Sequence, residues 1–103
     1  MKRIVNGKRY DTEKAEEIAS AGSGGTGNDW RSYYETLFRT PRGKWFLAGS
    51  GGPLTKYAER NGSERMGSEG IIPLNEDEVR DWLEAEGEWE VLETYFAARI
   101  EDA

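Results

Sequence analysis

Carboxylates at helical spacing are the residues whose type and arrangement could do acid–base chemistry: Asp77 with Asp81, and Glu84 with Glu88. Such a pair acts as general acid and general base when it is held across a cleft, as in glycoside hydrolysis. Residues four apart on a helix instead share one exposed face. Composition closes the other conventional routes. The 103-residue chain has no His and no Cys, which removes the commonest general base, the commonest metal ligands and thiol nucleophiles. Ser20, Ser23, Ser50, Ser63 and Ser68 therefore lack a His partner for a triad. The D-x-[DN]-x-[DN]-G pattern of a calcium loop is absent. The expectation is a protein that is not an enzyme and takes no cofactor or metal.

Charge leaves two binding readings. Residues 1–74 carry 12 Lys/Arg against 9 Asp/Glu, whereas residues 75–103 carry 2 against 11, so the net −6 is concentrated at the C-terminal end. Glu76, Asp77, Asp81, Glu84, Glu88 and Glu90 could imitate a row of phosphates and occupy the basic groove of a nucleic-acid enzyme. The competing explanation is a solvated acidic helix surface. Arg39, Arg42 and Lys44, beside Trp45, could instead contact nucleic acid directly. Against that stands a hairpin tip charged only for solubility, on a chain whose overall acidity opposes phosphate binding.

The elements that must position these groups follow from local pattern. Thr40-Pro41-Arg42-Gly43 reads as a type I turn closed by a left-handed glycine. It pairs Arg39 with Trp45, Phe38 with Phe46 and Leu37 with Leu47, giving a central hairpin over about residues 31–40 and 44–49. Both faces of that hairpin are apolar, so other elements must cover it. Short strands are expected near 2–10, turning at Asn6-Gly7, and near 70–73, where Pro73 limits pairing. Ala15, Ile18 and Ala19 at i, i+3, i+4, behind Asp11 or Thr12 as a cap, predict a helix near 12–21 ended by Gly22. Asn75 and Glu78 form a capping box, with Leu74 and Val79 as staple, for a helix near 76–86 stopped by Gly87. A last helix near 88–100 aligns Trp89, Leu92, Phe96 and Ile100. The fold class expected is α+β, one domain over 1–103: a small antiparallel sheet built on the central hairpin and covered by helices.

Gly22, Gly24 and Gly27 spell a G-x-G-x-x-G. The dinucleotide fingerprint follows a strand and opens a helix, whereas here the run is expected between a helix and a strand. Gly49-Ser-Gly-Gly-Pro53 lacks the Gly-Lys-Ser/Thr ending of a phosphate-binding P-loop. The beginning of the chain, MKRIVNG, lacks the apolar run of a signal peptide, and no stretch reaches the ~18 apolar residues of a membrane span. A soluble, cytoplasmic protein is expected.

The segments Ile4-Val-Asn-Gly-Lys-Arg-Tyr-Asp-Thr12, Leu37-Phe-Arg-Thr40, Gly43-Lys-Trp-Phe-Leu47, Gly49-Ser-Gly-Gly-Pro53 and Ile72-Pro-Leu74 with Trp82-Leu-Glu84 resemble a family of small proteins from bacterial mobile elements and prophages. Members of that family are described as anti-CRISPR proteins that inhibit the type II-A RNA-guided DNA nuclease. The likeness covers most of the chain in order, and its motifs are turns, caps and core aromatics. The family pattern often has a His where this chain has Ala48 and an acid where it has Ser50. The resemblance implies a non-enzymatic inhibitor acting in the cytoplasm of a bacterial host, its partner the type II-A CRISPR effector nuclease, blocked in DNA engagement or cleavage. The alternative is a mobile-element accessory protein that binds nucleic acid through the basic hairpin tip.

Overall fold

The computed structural model of the chain describes residues 1–23 and 30–103. Among the described residues, eight strands precede two helices. They are β1 (Lys2–Val5), β2 (Lys8–Asp11), β3 (Glu16–Gly22), β4 (Tyr33–Arg39), β5 (Trp45–Gly51), β6 (Glu59–Asn61), β7 (Glu64–Met66), β8 (Ser68–Leu74), α1 (Glu76–Ala85) and α2 (Trp89–Phe96). A 3₁₀ turn, Ala97–Arg99, follows α2. The organising element is a four-stranded antiparallel sheet in the order β3-β4-β5-β8, and β1-β2 and β6-β7 are separate hairpins. This is a small α+β fold.

The β4–β5 hairpin has the expected register, with Leu37 opposite Leu47, Phe38 opposite Phe46 and Arg39 opposite Trp45. Gly43 takes φ +80° and donates its N–H to the Thr40 carbonyl at 2.9 Å, which closes the turn. The hairpin's two apolar faces divide the core. Leu37, Trp45 and Leu47 pack on one side with Val79, Leu83, Leu92 and Phe96 of the helices. Phe46 and Ala48 pack on the other with Tyr10, and with the half-buried Val5, Phe38 and Ile71 around them. Three layers result, a β1–β2 hairpin, the sheet and a helical pair, with β5 buried between the outer two.

Local signals fix the outer layers. Asn6 and Gly7 both have positive φ, 50° and 77°, as a two-residue type I′ turn requires, and Val5 pairs with Lys8 around them. The capping box is complete: the Asn75 N–H donates to Glu78 Oε1 at 2.9 Å, and the Glu78 N–H donates to Asn75 Oδ1 at 2.8 Å. Gly87, at φ +69°, separates α1 from α2. Within α2, Leu92 and Phe96 are buried, while Trp89 and Ile100 at the two ends of the expected stripe are exposed.

The helix expected near 12–21 is a correction: that stretch is a tight turn followed by strand β3. Asp11 does use its side chain, but to accept the Glu13 N–H at 3.0 Å in a turn, with the Lys14 N–H returning to the Asp11 carbonyl. The Ala15/Ile18/Ala19 spacing that resembles a helical stripe is split between two faces. Ala15 joins the Tyr10–Phe46 cluster and Ile18 the helix-side cluster. The open edge of β4 supplies what local propensity does not, and pairing along β4 outweighs the helical preference of alanine. A register shift between Glu17 and Ala19 marks a bulge in β3. The Gly22/Gly24/Gly27 run begins at the end of a strand, and β3 and β4 are antiparallel neighbours, whereas a dinucleotide site joins parallel strands; Gly24 and Gly27 lie outside the described residues.

Phe46 is fully buried, stacked on Phe38 at 5.2 Å between ring centroids and met edge-on by Tyr10 at 5.4 Å. Phe46→Ala is expected to destabilise the protein by about 3–5 kcal/mol. A urea melt checks this, and a loss under about 1 kcal/mol would contradict the packing described.

Candidate functional site

The most constrained polar group is one that sequence reasoning did not single out. Glu35, in the middle of β4, is 2% exposed. Its Oε1 accepts the Tyr57 hydroxyl at 2.7 Å and pairs with Lys56 Nζ at 2.8 Å, and its Oε2 accepts the Trp82 indole N–H at 2.6 Å. A buried carboxylate needs such partners, because burial without them is strongly unfavourable. The donors come from the segment after β5 and from α1, so one side chain fastens both to the sheet. Gly49 makes room for this: a Cβ there would lie 2.7 Å from the Tyr57 hydroxyl and 2.6 Å from the Tyr34 carbonyl oxygen. The preceding loop holds Tyr57 in place through the Thr55 hydroxyl, which donates to the Gly52 carbonyl at 2.8 Å and accepts the Tyr57 N–H at 3.3 Å. The only signal in the sequence was an acid at an inward-facing register position, beside Leu37.

Burial, and next the hydrogen bond to Glu35, push the Tyr57 hydroxyl well above the usual tyrosine range. Burial, followed by the nearby Glu86 and Glu35 carboxylates, also raises Tyr33. Both rings thus favour the neutral phenol, and the Glu35 cluster acts as a lock between layers.

The acidic residues expected to meet a partner lie on the helical layer. Glu76, Asp77, Asp81, Glu84 and Glu90 are exposed, and Glu88 is half-buried at the start of α2. Asp77 pairs with Arg80, whereas no ion pair among the described residues engages Glu76, Asp81, Glu84 or Glu90. At about 100° per residue, Asp77, Asp81 and Glu84 fall in one stripe of α1, opposite the buried Val79 and Leu83.

The basic tip divides. Arg42 and Lys44 are exposed on the β4–β5 turn. Arg39 is half-buried instead, its guanidinium 5.5 Å from the Trp45 ring centroid and 5.4 Å from that of Tyr95. It holds α2 against the sheet by cation–π attraction, which removes it from the tip. Arg42 and Lys44 are joined by Lys8, Arg9 and Lys14 around a groove of about 650 Å³; the sequence separation of the two hairpins hid this convergence. Ala48 is buried in the cluster with Tyr10 and Phe46, and Ser50 is exposed on β5.

Among the described residues no group of three or more His, Cys, Asp or Glu side chains is placed to hold a metal ion, and no helix is long and apolar enough to cross a membrane. Comparison with protein-family models, with curated proteins and with solved structures found no match.

Glu35→Ala is expected to destabilise the protein by about 2–4 kcal/mol, since it leaves the Tyr57 and Trp82 donors without their acceptor, whereas the half-exposed Lys56 ammonium can turn to water. The pH dependence has a definite sign. Tyr57 and Tyr33 have raised folded-state pKa values, so above the ordinary tyrosine value of about 10 the unfolded chain ionises while the folded chain keeps its protons. Their contribution is fully present below about pH 10 and is lost as pH rises beyond it. Tyr57→Phe should flatten the alkaline fall in stability, measured by urea melts between about pH 8 and 11.

Proposed function

We propose that this chain is a non-enzymatic binding protein whose acidic helical layer occupies a phosphate-binding groove on a nucleic-acid enzyme. The partner implied by the family resemblance is the type II-A RNA-guided DNA nuclease, with DNA engagement or cleavage as the blocked step. The observation that carries this reading is the placement of three exposed carboxylates without a cationic partner among the described residues: Asp81 and Glu84 on α1, anchored by the capping box and by Trp82, and Glu90 on α2, packed into the core through Leu92 and Phe96. Carboxylates held on a rigid surface keep their spacing when they meet a basic groove, and little ordering entropy is lost on docking. Glu76, Asp77 and Glu88 extend the same layer. The bacterial host's cytoplasm is where such an encounter would occur.

A second reading has a specific observation behind it. Arg42 and Lys44 project from a hairpin end, and neither has a carboxylate partner among the described residues. They would contact nucleic acid directly, with Arg39 withdrawn from that role.

The test of the first reading is a DNA-cleavage assay with guide-loaded nuclease, titrated with the purified protein. Cleavage should fall as the protein approaches equimolar amounts, and the two should co-elute on size exclusion. Asp81→Lys/Glu84→Lys should weaken inhibition at least about tenfold, the effect of ~1.4 kcal/mol, with an unchanged melting temperature. Full cleavage at large molar excess, with no co-elution, would overturn the proposal.

A further inference from the structure

The groove between the β1–β2 and β4–β5 hairpins carries a feature that neither hairpin has alone. Lys8 and Arg9 come from β2, Lys14 from the turn after it, and Arg42 and Lys44 from the end of the central hairpin. All five are exposed, and none has an ion-pair partner among the described residues. One acid, Asp11, shares the lining, and its Oδ1 already accepts the Glu13 N–H. Five unpaired cations around one concavity repel one another, and a multivalent anion would relieve that repulsion.

We infer that this groove binds the sugar–phosphate backbone of a nucleic-acid strand, through its charge and without reading its bases. The inference rests on the second reading above and is independent of the first. Tyr10 is the one aromatic residue in the lining. Its ring is 7% exposed and packs edge-on against Phe46, so it offers no platform for base stacking. What remains is a set of ammonium and guanidinium groups lining one groove, which suits phosphates of any sequence. The floor is rigid: Tyr10 is anchored in the core, and the turns at Asn6-Gly7 and Thr40–Lys44 are closed by their own hydrogen bonds and register. The acidic helices lie on the opposite face of the sheet, so the chain's net charge of −6 does not sit at the groove.

Fluorescence anisotropy of a labelled oligothymidine strand of about 20 nucleotides tests this, at about 20 mM and 150 mM NaCl, with a duplex of equal length as a second arm. Binding is expected at low salt, with log K falling against log[salt] at a slope of about −2 to −3.5 for a single strand. Lys8→Glu/Arg9→Glu and Arg42→Glu/Lys44→Glu should each weaken binding at least tenfold while melting normally. Arg60→Glu/Arg65→Glu, the same charge change on the β6–β7 hairpin, should leave affinity within about twofold. Tighter binding by one arm identifies whether the backbone is taken from a single strand or a duplex. If only Arg42→Glu/Lys44→Glu weakens binding, the two-hairpin groove is refuted and the hairpin-tip reading stands. Absence of binding at low salt overturns both. An equal loss in the β6–β7 control refutes the groove as a localised site.

Discussion

A carboxylate inside an apolar sheet is the constraint on which much of this structure depends. Glu35 is tolerable there only while the Tyr57, Lys56 and Trp82 donors stay within hydrogen-bond reach. That requirement decides the course of the chain after β5, because Tyr57 has to cross Gly49 to arrive. It also orients α1, because the Trp82 indole must turn toward the sheet while Val79 and Leu83 fill the space beside it. An apolar residue at position 35 could pack with less electrostatic risk. A charge with directional partners adds geometry, since hydrogen bonds admit fewer arrangements than oily contact does.

The central hairpin imposes the second constraint. Apolar side chains on both its faces call for cover on both sides, and the chain answers with a basic hairpin layer and an acidic helical layer. Charge separation is therefore a by-product of layering. Each outer layer is free to carry one sign because the sheet holds the two apart, and opposite charges that could cancel in an open chain become two distinct surfaces. Arg39 shows the limit of reading such charges from sequence: its cation is spent internally, between Trp45 and Tyr95.

Features governed by a few adjacent residues were legible in the sequence. The turns at Asn6-Gly7 and Thr40–Gly43, the Asn75–Glu78 cap and the pairing of Leu37 with Leu47 each depend on chemistry within a short span. The failure at residues 12–21 has the opposite origin. Ala15, Ile18 and Ala19 fit a helical stripe locally, and only the bare edge of β4, remote in the sequence, makes a strand the better solution. The β6–β7 hairpin was missed because its strands are wholly exposed and carry no buried alternation. Most of the candidate site was hidden for the same physical reason. Glu35, Tyr57 and Trp82 are far apart in the chain, as are Lys8 and Lys44, and no periodicity records their meeting.

The sheet's two borders have a consequence for how the molecule lives among copies of itself. One border is β3, which begins with exposed Glu16 and Glu17 and is then interrupted by its bulge. The other is β8, where Pro73 has no N–H to offer. Charge, a break in the ladder and a missing donor are the means by which an edge strand resists templating another strand. Growth by strand addition is blunted at both ends, so a small protein with long, apolar β4 and β5 at its centre keeps its most aggregation-prone segments shielded by their neighbours.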